Sequence, residues 1–445
     1  MARASSFREI LDSFFSVQKG ERLKTALLFS WLFLFICTYY VLRPIRRGMV
    51  LDGLGNEAMP LIYIGTALVT GVVVWFYSKF SYLPRKKLIG TIYGIFFVNL
   101  VAWWQAFQFE SAVTAGIFWV WLDVFSIMGV TVFWMYANDL FESGSAKRLF
   151  GIIASGGGLG AVLGSSITAA LVKPLGATNM LLVAAGIVAM ALGIFYLLEK
   201  INTGAPAKRS AAAEFEKYDV SKFSGVIKTI ISSKFLLFLT MLVCFERLTP
   251  DIVQYLYHEV LAQLATGRDA IAQLDANLER WRAIGEVLAS LFLVSFVLRK
   301  FGTTFSLTSS AMAIMTGLVT FAVLGNPFVI LAAFHADEAF RHAWFKAAKE
   351  LTYTVTSRDV LYNVKPVIEM FFYRFSRGLA GVIIWVVTAL AGFGVPGLIV
   401  VGTAIAACWA YCGWKLSQEF RRLELQQEAA KLQSSLIVNE PAIAR

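Results

Sequence analysis

Blocks of mostly apolar residues alternate with short polar connections along almost the whole chain. A block of about twenty such residues is what a helix needs to cross a hydrocarbon core of roughly 30 Å. The pattern predicts transmembrane helices over 23–42, 60–78, 88–107, 114–137, 149–172, 178–198, 234–262, 283–299, 304–324, 327–350, 366–391 and 395–416. The seventh and tenth of these carry several charges. The longest polar connection, Glu199 to Ser233, leaves six spans on either side, the arrangement of two six-helix halves around a central cavity. The fold class this predicts is an all-α polytopic membrane protein with about twelve transmembrane helices. Its expected divisions are an N-terminal bundle over 1–198, a cytoplasmic linker over 199–233, a C-terminal bundle over 234–417 and a cytoplasmic tail over 418–445, helical at first and then disordered.

Composition agrees. The chain is 58% hydrophobic and 16% charged, well under the charged share of about 25% that covers a soluble surface. A formal charge of +11 would suggest a nucleic-acid partner in a soluble chain, but here the basic residues sit mainly in connections between apolar blocks. The bilayer is therefore the expected partner, and nucleic acid is not. Lys and Arg fall in alternate connections, in the N-terminal segment with Arg3, Arg8 and Lys19, in Lys79 to Lys87, in Lys147 and Arg148, in the central linker, and in Arg299 and Lys300. Both termini are then cytoplasmic, in a cell inner membrane. Ala265 to Arg282 breaks the bias with mixed charges and reads as a polar helical extension on the outer side. Met1 to Gly20 shows no apolar stretch followed by a cleavage site, so no signal or transit peptide is expected.

Charges inside or at the ends of apolar spans are the informative residues, because a charge at mid-membrane costs about 2.5–3.5 kcal/mol on insertion scales. Arg43, Arg46 and Arg47 lie in "YYVLRPIRRGM" at the end of the first span. Their spacing puts them on one helical face, and Pro44 is expected to kink the helix there. Arginine forks match phosphate and carboxylate oxygens, so an anion-binding edge is one reading; snorkelling to headgroups or to an acidic loop is the other. Asp123 lies inside the fourth span, Asp251 beside Glu246 and Arg247 in the seventh, and Arg374 and Arg377 beside Glu369 in the eleventh. Glu246–Arg247, Glu338–Arg341 and Glu369–Arg374 are the ion pairs expected if these charges serve packing. In "GIIASGGGLGAVLGSS", Gly156, Gly160 and Gly164 recur every fourth residue, a face for close helix packing. A phosphate-cradling loop would need a preceding strand and a following lysine, which this stretch lacks. Cys37, Cys244, Cys408 and Cys412 all lie in apolar blocks and read as structural. No catalytic grouping, metal-ligand set or cofactor motif stands in the chain, so an enzyme is not expected.

The stretch "VFWMYANDLFESGSAKRLFGIIASGGGLGAVLGS", with "YYVLRPIRRGM" and "AAKELTYTVTSRDVLYNVKPVIEMFFYRFSRGLAG", resembles the ATP/ADP translocase family of bacteria and plastids. The resemblance covers most of the chain and implies a major-facilitator-like fold and nucleotide transport. It places the family's first-helix lysine on Arg46, its fourth-helix glutamate on Leu122 beside Asp123, its seventh-helix glutamate near Asp251, and the lysine after the tenth helix on Lys365. Charge sign survives at Arg46, Asp251 and Lys365, and identity at Lys365, which places the chain in a divergent bacterial branch.

Together these readings predict a transporter of an anionic solute by alternating access, with ATP/ADP-type exchange implied by the resemblance. The substrate ligands expected are Arg43, Arg46, Arg47, Asp123, Asp251, Lys365, Arg374 and Arg377, in a protein functional as a monomer. The alternatives are a symporter of another organic anion, with Asp123, Asp251 or Asp337 carrying the proton, and a non-transporting scaffold or sensor that kept the fold.

Overall fold

A computed structural model describes Gln18, residues 20–80, 85–109, 111–141, 143–201, 220–356, Val360, 364–365 and 367–438. Every regular element among these residues is helical. Six long helices come first: α1 (Arg22–Gly53), α2 (Met59–Phe80), α3 (Arg85–Ala106), α4 (Ala112–Leu140), α5 (Ser143–Leu175) and α6 (Met180–Ile201). The amphipathic helix α7 (Val220–Ser232) meets α8 (Lys234–Leu264) at a bend of 105°. Then follow α9 (Arg268–Phe292), α10 (Val294–Lys300), α11 (Gly302–Leu324) and α12 (Pro327–Phe340), which runs through a π-helical turn (Arg341–Phe345) into α13 (Lys346–Thr352). Two further π-helical turns, Val367–Phe372 and Val386–Leu390, bracket α14 (Tyr373–Trp385), and α15 (Gly394–Val438) ends the described chain.

Each of the twelve apolar blocks falls on helix. Among the described residues nine helices are long and apolar enough to cross a membrane, or ten if the bent pair α7–α8 counts as one span. The blocks that fall short on composition are those richest in charge, in α9 and in α12–α13. The large apolar side chains left outside the fold, among them Leu68 at 68% and Val323 at 77% exposure, are what helices facing hydrocarbon present.

The chain forms two compact units, Met1–Lys217 with His258–Val287, and Tyr218–Tyr257 with Leu288–Arg445. In the first unit α1 is the central element, packed on α4, α5 and α6. The glycine face of α5 explains how closely α1 and α5 lie. A Cβ on Gly156, Gly160 or Gly164 would stand 2.7, 2.3 and 2.3 Å from the carbonyl oxygens of Phe29, Phe33 and Cys37, so only glycine allows this backbone approach. Beside it Trp31, fully buried, holds Tyr93, Phe133, Tyr136 and Phe195 around its ring, an aromatic core that fixes α1 against α3, α4 and α6.

In the second unit α11 packs on α12 and α15. Gly413 lies against the Leu307 carbonyl and Gly317 against Ala333, so small residues again set the helix spacing. Trp344, in the π-helical turn, donates its indole N–H to Ser309 at 2.8 Å.

The tail expected to begin helical does so, as the continuation of α15 to Val438. Its final residues, 439–445, lie outside the described residues. So do Arg3, Arg8 and Lys19 of the basic N-terminal segment and residues 202–219 of the central connection.

Candidate functional site

The first helix does not end at Tyr40–Leu42, where the apolar block gives out. It continues through Pro44 to Gly53, and Pro44 simply offers no N–H to the Tyr40 carbonyl. Arg43, Arg46 and Arg47 are therefore inside the helix, 7%, 3% and 0% exposed. Burial of that kind requires counter-charges, and the structure supplies them in two separate ways.

Arg43 and Arg47 meet carboxylates of α9. Arg47 Nη1 donates to Asp275 at 2.6 Å and to Glu279 at 2.8 Å, and Arg43 Nη1 donates to Glu279 at 3.2 Å. Arg282 closes the group, donating to Glu279 at 2.8 Å, to the Tyr40 hydroxyl at 2.8 Å, and to Glu286. Three guanidinium groups thus face three carboxylates. Gly48 permits the approach, since a Cβ there would stand 2.2 Å from the Arg268 carbonyl. The segment read from sequence as a polar outer extension is in this way part of the first unit's core, with Asp275 and Glu279 fully buried.

Arg46 has a different setting, built by α4. Trp119 and Asp123 are one turn apart and share a face of that helix. Asp123 accepts from Arg46 Nη1 at 2.7 Å, and the guanidinium lies 4.2 Å from the Trp119 ring centroid. Tyr39 stands 5.9 Å from the same cation, and the His258 ring meets Trp119 edge-on at 5.5 Å. A guanidinium lying over an aromatic face keeps its in-plane N–H edge for acceptors. Among the described residues Arg46 Nε and Trp119 Nε1 are buried donors with no hydrogen-bond partner. Leaving such donors unpaired is costly. Leu122, where the family glutamate was expected, is fully buried apolar core, and its neighbour Asp123 reaches the cation instead.

The remaining expected ligands lie in the second unit. Asp251 is 1% exposed and paired with Arg247 at 2.7 Å, one turn away on α8. Lys365 donates to Glu350 at 2.6 Å and lies over the Tyr353 ring at 4.4 Å. Arg374 and Arg377 are half-buried on α14.

The ion pairs expected from neighbouring positions differ from those formed. Glu246 pairs with Lys349 at 2.7 Å, Glu369 also pairs with Lys349 at 3.1 Å, and Arg341 pairs with Asp337 at 3.1 Å. Consecutive helix positions diverge, so Glu246 and Arg247 cannot face each other, while i,i+4 positions such as Arg247 and Asp251 do. Lys349 carried no weight as a separate residue in the sequence, yet it is 4% exposed and links two carboxylates from different elements. Tyr353 donates its hydroxyl to Glu369 at 3.1 Å, and burial, with the Glu369 charge beside it, raises the phenol and keeps that proton in place. Asp275 and Glu279 count in the sequence only as charges offsetting Arg268, Arg280 and Arg282, and Trp119 carries no weight there. The first two had a legible signal, since Asp275, Glu279, Arg282 and Glu286 recur at helical spacing along one face.

Charged groups buried among long apolar helices are the interior of an all-α polytopic membrane protein. Solved structures agree on the fold. The nucleoside transporter NupG superposes with a TM-score of 0.62 at 14% identity, over 90% of this chain and 99% of that one. A peptide-bound transporter of the POT family gives 0.64 at 14%, over 89% and 96%. The TLC ATP/ADP transporter family model matches residues 111–336, just over half of the chain, and the chain belongs to that family. Among curated relatives, ADP,ATP carrier protein 1 of Chlamydia pneumoniae is 23% identical over 96% of each chain. ADP,ATP carrier protein 3 of Rickettsia felis is 22% identical over 94% of this chain and 91% of its own. The protein is thus a membrane transporter and not an enzyme, and identities this low place it in a divergent branch.

Proposed function

We propose that the protein exchanges a nucleotide-class anion across the cell inner membrane, with both termini in the cytoplasm, and that Arg46 binds its phosphate oxygens. The observation that carries this is the setting of Arg46: a buried guanidinium held flat on Trp119, satisfied by one carboxylate, with an unpaired donor of its own and another on Trp119. Phosphate offers several acceptor oxygens in the geometry that an arginine edge addresses. The names of the relatives, ADP,ATP carrier proteins, support a nucleotide in that role. Arg43 and Arg47 are engaged by Asp275 and Glu279 and hold α1 to α9 in this reading. Asp251 is engaged by Arg247 and serves α8. Lys365 is engaged by Glu350, and Lys365, Arg374 and Arg377 are basic groups of the second unit.

The test is counterflow. Purified protein in vesicles loaded with unlabelled ADP or ATP should accumulate labelled ATP or ADP, and empty vesicles should not. Absence of counterflow with every nucleotide of a full panel would overturn the nucleotide assignment.

A further inference from the structure

On α7, Val226, Ile227, Ile230 and Ile231 fall within an arc of about 140° at the usual helical turn per residue, and Gly225, Lys228, Thr229 and Ser232 fill the opposite side. A division this clean marks a helix with one apolar and one wet face. Gly225, Lys228, Thr229 and Ser232 are exposed. The Thr229 and Ser232 hydroxyls donate back into their own helix, to the Gly225 and Thr229 carbonyls at 3.0 and 3.1 Å. Of the apolar arc, Ile230 is packed away at 3% exposure, Val226 and Ile227 are half-buried, and Ile231 stands 66% exposed. One edge of the arc is covered by the protein and the other is open.

The direction of α7 says what lies against the open edge. The 31 residues of α8 are about 46 Å long at the usual helical rise, and they cross a hydrocarbon core of roughly 30 Å without help. α7 is turned 105° from α8, so it runs across the direction of crossing, along the membrane surface at which α8 begins. Ser233 makes the corner, its hydroxyl accepting the Leu236 N–H at 3.4 Å at the start of α8.

Charge fits the same place. Lys222, Lys228 and Lys234 recur every sixth residue, and no Asp or Glu stands between Val220 and Phe245. Lys228 and Lys234 are exposed. Lys228 stands about 60° beyond Ile231 around the helix, so its ammonium can reach headgroups while Ile231 enters the acyl layer. An open edge of two isoleucines is far smaller than a stable protein–protein interface needs, and the bilayer is already beside it.

We infer that α7 is a docking helix for anionic phospholipid. Ile227 and Ile231 enter the acyl boundary of the leaflet at which α8 begins, and Lys228 and Lys234 hold lipid phosphates. Such a helix binds through two additive effects, apolar burial and attraction to anionic headgroups. The inference stands apart from the nucleotide assignment, and absence of counterflow would leave it intact.

The experiment is hydrogen exchange of the α7 amides in the purified full chain held in nanodiscs. One set of discs contains phosphatidylcholine alone and the other adds phosphatidylglycerol, each at low and high salt. Wild-type α7 should be better protected in the anionic discs, and high salt should remove the difference. Lys228→Gln combined with Lys234→Gln should lose roughly ten- to thirtyfold of that protection, the factor two lysines supply at an anionic surface, with α8 unchanged. Ile231→Ser should lower protection in both lipids. The wild-type comparison needs no variant. Equal protection in the two lipids at low salt overturns the anionic-lipid assignment, and is what α7 would give as the buried start of a broken span. Protection seen only in discs that hold two copies overturns it in favour of contact between copies. A lipid difference that survives loss of both lysines puts the headgroup contact elsewhere and overturns it as well.

Discussion

Arg47 of α1 and Asp275 of α9 meet at 2.6 Å with both side chains wholly buried, across a sequence separation of 228 residues. With Glu279 shared among Arg43, Arg47 and Arg282, that contact makes the polar segment after α8 part of the first unit's interior. Glu279→Gln leaves three guanidinium groups short of a counter-charge, and loss of a buried partner costs about 3–5 kcal/mol. The variant should unfold at a clearly lower temperature in detergent. Glu286→Gln touches a carboxylate that is 25% exposed at the rim of the same group and should cost less than about 1 kcal/mol. Equal melting shifts for the two would contradict a central role for Glu279 in this group.

The glycine face of α5 makes a sharper contrast. Gly160→Ala puts a Cβ 2.3 Å from the Phe33 carbonyl oxygen, and backbone cannot move aside as a flexible side chain can. Gly193 on α6 has open space where a Cβ would stand, and a helical Gly→Ala there gains up to about 1 kcal/mol. Thermal unfolding should separate the two, with Gly160→Ala lowered and Gly193→Ala unchanged or raised.

Lys349 is expected to hold the second unit's acidic groups together. Lys349→Met leaves Glu246 and Glu369 facing each other without the ammonium that bridges them, at a cost of about 3–5 kcal/mol. Adding Glu246→Gln removes part of the repulsion, so the double variant should melt above the single one. Additive destabilisation would show that the two residues do not interact.

The helices were legible because twenty-residue apolar blocks have one stable solution in a bilayer, and the structure places helix at all twelve. The helix ends were less so. The apolar block of α1 stops at Leu42 while the helix runs to Gly53, because Asp123, Asp275 and Glu279 neutralise the arginines that made the block appear to end. Pairing across the chain carries no local signature. Glu246 finds Lys349 some hundred positions away, whereas its neighbour Arg247 points elsewhere around the helix. Arg46 and Asp123 were both named from sequence, but the arrangement that distinguishes Arg46 from Arg43 and Arg47 depends on Trp119, an aromatic residue indistinguishable in sequence from the many others of the core.

The central claim is that Arg46 binds the substrate's phosphate. The direct measurement is nucleotide counterflow into vesicles carrying wild type, Arg46→Ala or Arg46→Lys at matched folding. Loss of a charge-assisted hydrogen bond of about 1.5–3 kcal/mol should raise the half-saturating nucleotide concentration of Arg46→Ala roughly ten- to hundredfold. Arg46→Lys should recover part of this, since an ammonium supplies charge without the fork. Half-saturation unchanged in both variants, with wild type transporting nucleotide, would remove Arg46 from the site.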